Sequence, residues 1–285
     1  MRPRQLVEVA YQLCVPNGLY TKSQVARALG IGRATLYWPS KQAIKDKQVA
    51  VAIERWHEID DTLGHRKLAA LLSMGKNRVR RVMHKYGIAA RRKRKTYVYP
   101  GKASEVAPNL VRELEPESLT EVVFSDIFEV RLADATKVRG CFALWKRTRH
   151  ILALAFEYHM RAELVTNALQ TLAFDVPAAI FHSDQGKQFG AEQTRALLLE
   201  KGFQLSMSRA GTPTDNGYAE RFVGLFKLAV AERCSYQTLG EFLRAAQDWV
   251  QFYNAIRPHE SLAYRSPDQF AQEQGLPAVP SITLF

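Results

Sequence analysis

From residue 121 onward the apolar positions fall into two alternating rhythms. The run Val122-Val123-Phe124-Ser125-Asp126-Ile127-Phe128 opens a strand at about 121–131, and similar β-branched and aromatic stretches predict strands at 137–145 and 150–157. Helical spacing at 161–174 gives way to a short apolar strand at 178–183, then a helix at 190–201 and a strand at 203–207. Helices at about 216–233 and 239–254 complete the series. Three strands in succession followed by helix, strand and helix predict a mixed α/β sheet with helices on both faces.

The first hundred residues carry no strand rhythm. Thr21 to Gly30 reads as a capped helix ended by glycine, Ile31-Gly32 as a turn, and Arg33 to Trp38 as a second helix that Pro39 interrupts. Residues 44–60 predict one amphipathic helix with Ile44, Val49, Val51, Ile53 and Trp56 on its apolar face. A second helix pair follows, His65–Leu72 and Lys76–Tyr86 about a Ser73-Met74-Gly75 turn. Val79, Val82, Met83 and Tyr86 share one side of its second helix. Both pairs have the grammar of helix-turn-helix units, against the plainer reading of ordinary helical hairpins. Prolines and weak periodicity mark 96–118 as a linker. The expected organisation is 1–60 and 61–95 helical, 96–118 linker, 119–272 a mixed α/β core, and 273–285 a tail.

Charge divides along the same line. Residues 1–102 hold 22 Lys and Arg against 6 Asp and Glu, whereas 103–285 hold 18 against 22. A net +16 confined to about one third of the chain is the footprint of a nucleic-acid binder. The candidate DNA contacts are Arg33 and Thr35 in the first unit and Lys76, Arg78, Arg80 and Arg81 in the second. The run Arg91-Arg92-Lys93-Arg94-Lys95 is read as a phosphate-tracking arm. No stretch of about 18 apolar residues predicts a membrane span, and the N-terminus lacks the apolar segment of a signal peptide. Cys14, Cys141 and Cys234 are scattered, without zinc-binding spacing, which points to a reducing, cytoplasmic setting.

Three carboxylates stand out. Asp126 interrupts an apolar strand, Asp184 ends a later one, and Glu220 lies early in a helix 36 positions beyond Asp184. Singly, an Asp at a strand end is a turn residue and a Glu in a first helical turn answers the helix dipole. Jointly they form a set of hard oxygen ligands suited to Mg2+ or Mn2+.

The order Asp126, Asp184, Glu220 resembles the DDE signature of retroviral-integrase-type polynucleotidyl transferases. The flanking sequence is similar to the OrfB transposases of bacterial insertion-sequence family three. The residues that carry the likeness are His182-Ser183-Asp184-Gln185-Gly186, Ser206 through Glu220, Lys227, and Tyr253-Asn254-Ala255-Ile256-Arg257-Pro258-His259. To them are added Gly64-His65-Arg66-Lys67-Leu68 and Arg78 through Met83. The resemblance runs from about residue 25 to 272. It implies a ribonuclease-H-like fold in which the first and fourth strands are neighbours, with a pair of divalent ions held by the triad. It further implies cutting of double-stranded DNA at element ends and joining of 3′-hydroxyls to target DNA. Lys227 is expected to contact DNA near the scissile phosphate, with Asn216 and Tyr218 close to substrate on an active-site loop. His182 is expected to bond inside the domain instead of binding metal. A homo-oligomer on DNA is implied, with an upstream-frame helix-turn-helix partner or fusion as a further element. Two departures are visible. No carboxylate occurs in Ala143–Arg149, where the family places one, and Lys187 and Phe189 replace more common residues. Two other readings stay open: a non-catalytic transposase-derived DNA-binding protein, and a nuclease that only hydrolyses.

Overall fold

The computed structural model describes residues 20–33, 41–92, 107–112, 114, 122–172, 180–209 and 212–284. The second helix of the first predicted unit, with Thr35, lies outside them, as do Lys93, Arg94 and Lys95.

Helix α1 (Lys22–Ala28) opens with a reciprocal cap between Thr21 and Gln24, and Gly30 turns the chain at φ +64°. Helices α2 (Lys41–Ile59), α3 (His65–Leu71) and α4 (Lys76–Tyr86) follow, with Ser73 left-handed at φ +49° between the last two. The α3–α4 hairpin matches its expectation, and Val79, Val82 and Met83 are buried. Tyr86, expected beside them, is exposed. So are Ile44 and Val51 of α2, because that helix packs through Val49, Ala50 and Ile53, a face turned away from them. Buried Asp46 holds α2 to α4. Its two oxygens each accept from Arg81 at 2.7 Å, and Lys85 pairs with one of them at 3.2 Å.

The sheet comprises β1 (Val122–Arg131), β2 (Lys137–Trp145), β3 (Ile151–Glu157), β4 (Ile180–Ser183) and β5 (Gln204–Met207), in the order β3-β2-β1-β4-β5. The first three strands run antiparallel, while β4 joins β1 in parallel and β5 joins β4 in parallel. Helices α5 (Ala162–Gln170), α6 (Lys187–Gly190) and α7 (Glu192–Glu200) connect them. A 3-10 turn (Pro213–Asn216) enters α8 (Gly217–Phe226), which widens into a π turn at Lys227–Ala231; α9 (Leu239–Ala255), a second 3-10 turn (Glu260–Leu262) and α10 (Pro267–Glu273) follow.

The period-two pattern sorts the core. Val122, Phe124, Phe128 and Val130 pack with Phe222 and Phe226 of α8 and Trp249 of α9, and the same cluster takes in Ile53, Leu68 and Val82 of the helical region. Val123 faces the opposite side with Leu164, Val165 and Leu198. Gly140 makes room for two rings on the first side. A Cβ there would lie 2.6 Å from both Phe128 Cζ and Phe156 Cε1, rings wedged in turn against Phe226 and Phe242. Gly140→Ala should therefore cost about 1–3 kcal/mol of stability by overpacking, read as a lower urea midpoint with unchanged slope. An unchanged midpoint would show that these rings move aside freely.

The helical region is joined to this core and is not a separate bead. Arg257, 2% exposed, pairs at 2.8 Å with Asp60, 0% exposed, and Arg257 also donates to Thr62. Trp56 meets Phe252 with ring centroids 6.3 Å apart.

Candidate active site

Alternation along β1 turns Asp126 toward the face covered by α8, because Phe124 and Phe128 on either side face it too. The parallel register pairs Val122 with Ile180 and Phe124 with His182, so continuing it by two residues sets Asp184 opposite Asp126. Glu220, exposed in the first turn of α8, approaches from above. Asp126 accepts from the Ile127 N–H at 2.8 Å. Burial, then the charge of Asp184, then that of Glu220 push its pKa up to about 7, against the Ile127 bond and the charge of Lys227. Burial also raises Asp184, whose Oδ1 accepts from the Gly186 N–H at 3.0 Å. Gly186 leaves room at that approach, since a Cβ would stand 3.0 Å from the same oxygen and press it aside.

The carboxylates feel one another's charge without closing on one point. Among the described residues, no three His, Cys, Asp or Glu side chains converge as a metal-holding group. The donor set nonetheless fits a hard divalent cation. It consists of oxygens only, two of its carboxylates are forced toward protonation by burial, and positive charge would relieve them. Beside them the Asn216 amide donates to Ser125 O at 3.1 Å, while its buried Oδ1 has no donor among the described residues.

His182 bonds inside the domain, as expected. Leu110 N–H donates to Ser206 Oγ at 2.9 Å, and Ser206 Oγ lies 2.8 Å from His182 Nδ1. His182 Nε2 lies 3.0 Å from Ser208 Oγ, which donates to Ser183 O. Proton accounting along this chain assigns the Nε2–H tautomer, and burial lowers the ring to about 4, so it is neutral. Ser206 and Ser208 were readable in sequence only as motif letters. Their work is to satisfy the histidine that precedes Asp184.

Residues 118–213 and 201–267 each match the integrase core domain family. The chain is 26% identical to the transposase for insertion sequence element IS904 of Lactococcus lactis, over 81% of this chain and 96% of that protein. It is 24% identical to a 31.7 kDa protein of insertion element IS407 of Burkholderia multivorans, over 88% and 90%. The chain belongs to the OrfB-type insertion-sequence transposases. Among solved structures, the BIV integrase catalytic core aligns at TM-score 0.41 and 15% identity, over 55% of this chain and 96% of that one. The HTLV-2 integrase catalytic core in complex with magnesium aligns at 0.43 and 12%, over 53% and 95%.

In this transposase the departures from the family pattern have structural counterparts. Phe189 is fully buried, 6.3 Å from Phe181, and Lys187 is exposed. In the segment lacking the family carboxylate, Arg149 adopts a left-handed φ of +66° and lays its guanidinium 4.4 Å over the Tyr218 ring. Tyr218 also packs on Phe124 at 4.9 Å, so it is held within the domain. A cavity of about 390 Å3 flanks α8, lined in part by Arg112, Phe124, Tyr218 and Arg221. Arg209 and Asp215 grip each other at 2.9 Å across the loop before α8, and Asn109 adds a bond to Asp215 at 2.8 Å. Lys227 opens the π turn, where its charge reaches Asp126.

The expected DNA contacts divide. Arg33, Lys76, Arg80 and Arg92 are exposed, and Arg78 is half-buried. Arg81 is spent on Asp46, whose pKa it holds far below the carboxylate range, chiefly by its hydrogen bonds. Arg91 is half-buried against Asp61 and the carbonyls of Leu228 and Glu232. Arg81, though exposed, is tied to Asp46, and Arg91 does not stand free as the charge run alone implies. No helix among the described residues is long and apolar enough to cross a membrane.

Proposed function

We propose that this transposase cleaves double-stranded DNA at the ends of its element and joins the exposed 3′-hydroxyl to target DNA, with Asp126, Asp184 and Glu220 as the catalytic carboxylates. The observation that carries the reading is the parallel register of β1 and β4, whose continuation brings Asp184 toward Asp126, together with the charge of Asp184 felt at Asp126. These three would hold two Mg2+ or Mn2+ ions, which supply activation of the attacking hydroxyl and charge stabilisation at the leaving 3′-oxygen. The protein's own part is positional. Ser125 fixes Asn216 next to Asp126, the Arg209–Asp215 pair tethers the loop entering α8, and Lys227 brings positive charge to the site where the phosphate must lie. Exposed cations at Arg33, Lys76, Arg80 and Arg92 would track the duplex, with Arg78 at the groove beside them, and the subunits assemble as a homo-oligomer on paired ends.

The full chain incubated with end-bearing duplex and a target plasmid should produce 3′ nicks and joined products in Mg2+ or Mn2+. Ca2+ should support DNA binding with little chemistry. Strong activity in EDTA, or with zinc alone, would overturn the reading, and nicking that never yields joined product would make the protein a nuclease.

A further inference from the structure

Two arginines cross between the helical region and the catalytic face in opposite directions. Arg91, beyond the end of α4, pairs with Asp61 at 3.1 Å through Nε; its Nη1 donates to Glu232 O at 3.1 Å and its Nη2 to Leu228 O. Arg233, just beyond the π turn, donates through Nη2 to His57 O at 3.1 Å and to Glu58 O, and through Nη1 to Ile59 O. The last carbonyls of any helix lack intrahelical donors, and a π turn is a rare irregularity found frequently at functional sites. Each arginine thus closes the open end of the helix on the other side. The end that Arg91 closes is the turn begun by Lys227, in the same helical run as Glu220.

We propose that Arg91 and Arg233 form a reciprocal clasp that positions α8 and its π turn, and with them Glu220 and Lys227, relative to Asp126 and to the helices bearing the DNA-facing cations. The inference rests on the catalytic reading above. It assigns Arg91 a positioning role in place of the phosphate contact its neighbours in sequence imply. The clasp adds polar ties between the helical region and the α8 run to the apolar cluster that Ile53, Leu68 and Val82 share with Phe222 and Phe226, and so helps set the distance between the end-binding surface and the cutting site.

The test uses the full chain with Arg91→Gln, Arg91→Lys, Arg233→Gln and the Arg91→Gln/Arg233→Gln pair, each assayed well below its own melting temperature. Strand-transfer kcat should fall about 10- to 100-fold in the glutamine variants, the scale of a misplaced catalytic group, while KM for end DNA moves little. The salt slope of DNA binding should stay at the wild-type value. Arg91→Lys, which keeps one charged donor within reach of the same carbonyls, should recover part of kcat. The double variant should lose no more than the worse single one, because both break one device. Three results overturn the clasp: a salt slope reduced by about 0.9, the mark of a lost phosphate contact; kcat unchanged in folded protein that merely melts earlier; or additive losses in the double variant. Glu220→Gln serves as the control. If it remains active the catalytic reading itself fails, whereas an inactive Glu220→Gln beside a fully active Arg91→Gln sinks the clasp alone.

Discussion

Asp126→Asn is expected to end cleavage and strand transfer, by about a thousandfold or more, while leaving the fold and DNA binding in place. Asp184→Asn and Glu220→Gln should do the same, since each removes one charge from a set that acts as a unit. The Asp126 variant carries a second signature that separates loss of chemistry from loss of structure. The Asp126 pKa lies near 7 in the folded protein, above its value in an unfolded chain. Its contribution to stability is therefore full below the unfolded value near 4 and is lost as pH rises toward 7. In EDTA, wild-type protein should weaken across that window relative to Asp126→Asn, which has no proton to lose there. Thermal melts of both proteins at pH 5 and pH 8 measure the difference. A variant less stable than wild type at pH 8, or one that retains joining activity in Mg2+, would contradict the assignment.

Arg257→Met should cost about 3–5 kcal/mol, because it strands Asp60 in the interior without its partner. Burial favours the neutral form of Asp60, but the Arg257 charge and the bonds from Thr62 and Arg257 prevail and keep its pKa below the ordinary value. In wild type that contribution is present above the unfolded pKa and fades only as pH falls through the depressed one. With Arg257 gone the sign reverses, and the variant should gain relative stability on acidification as Asp60 takes up a proton. Pairing it with Asp60→Asn should return much of the loss. Urea unfolding of the singles and the pair at two pH values is decisive. A pair no more stable than Arg257→Met would mean that the cost came from lost packing and not from the orphaned charge.

The sheet was legible because β1, β2 and β3 are long runs rich in apolar, β-branched and aromatic residues, buried over most of their length. That the first and fourth strands are neighbours was legible only through the resemblance to integrase-type cores, and the structure has β1 and β4 side by side. What the sequence hid depended on residues far along the chain. Ile44 and Val51 look like core because they are apolar, yet the packing face of α2 is chosen by its neighbours in space, including Phe252 beneath Trp56. Arg91 looks like the first link of a cationic arm, yet its acceptors lie 137 and 141 positions away. The α8 helix was expected to run on regularly to about 233. Nothing in its spacing marks the change to a π turn at Lys227, which leaves carbonyls for a donor from another part of the chain.

The buried Arg257–Asp60 pair limits how such proteins can diversify. A chimaera that joined the chain up to residue 92 to a sheet lacking Arg257 would strand the buried Asp60 carboxylate, and one lacking Arg233 would leave the end of α2 without its donor. The first 92 residues are therefore expected to be exchangeable only where both sides of these ties travel together. The route that leaves the fold intact is piecemeal change at outward positions such as Lys76 and Arg80, with the ties beneath them left untouched.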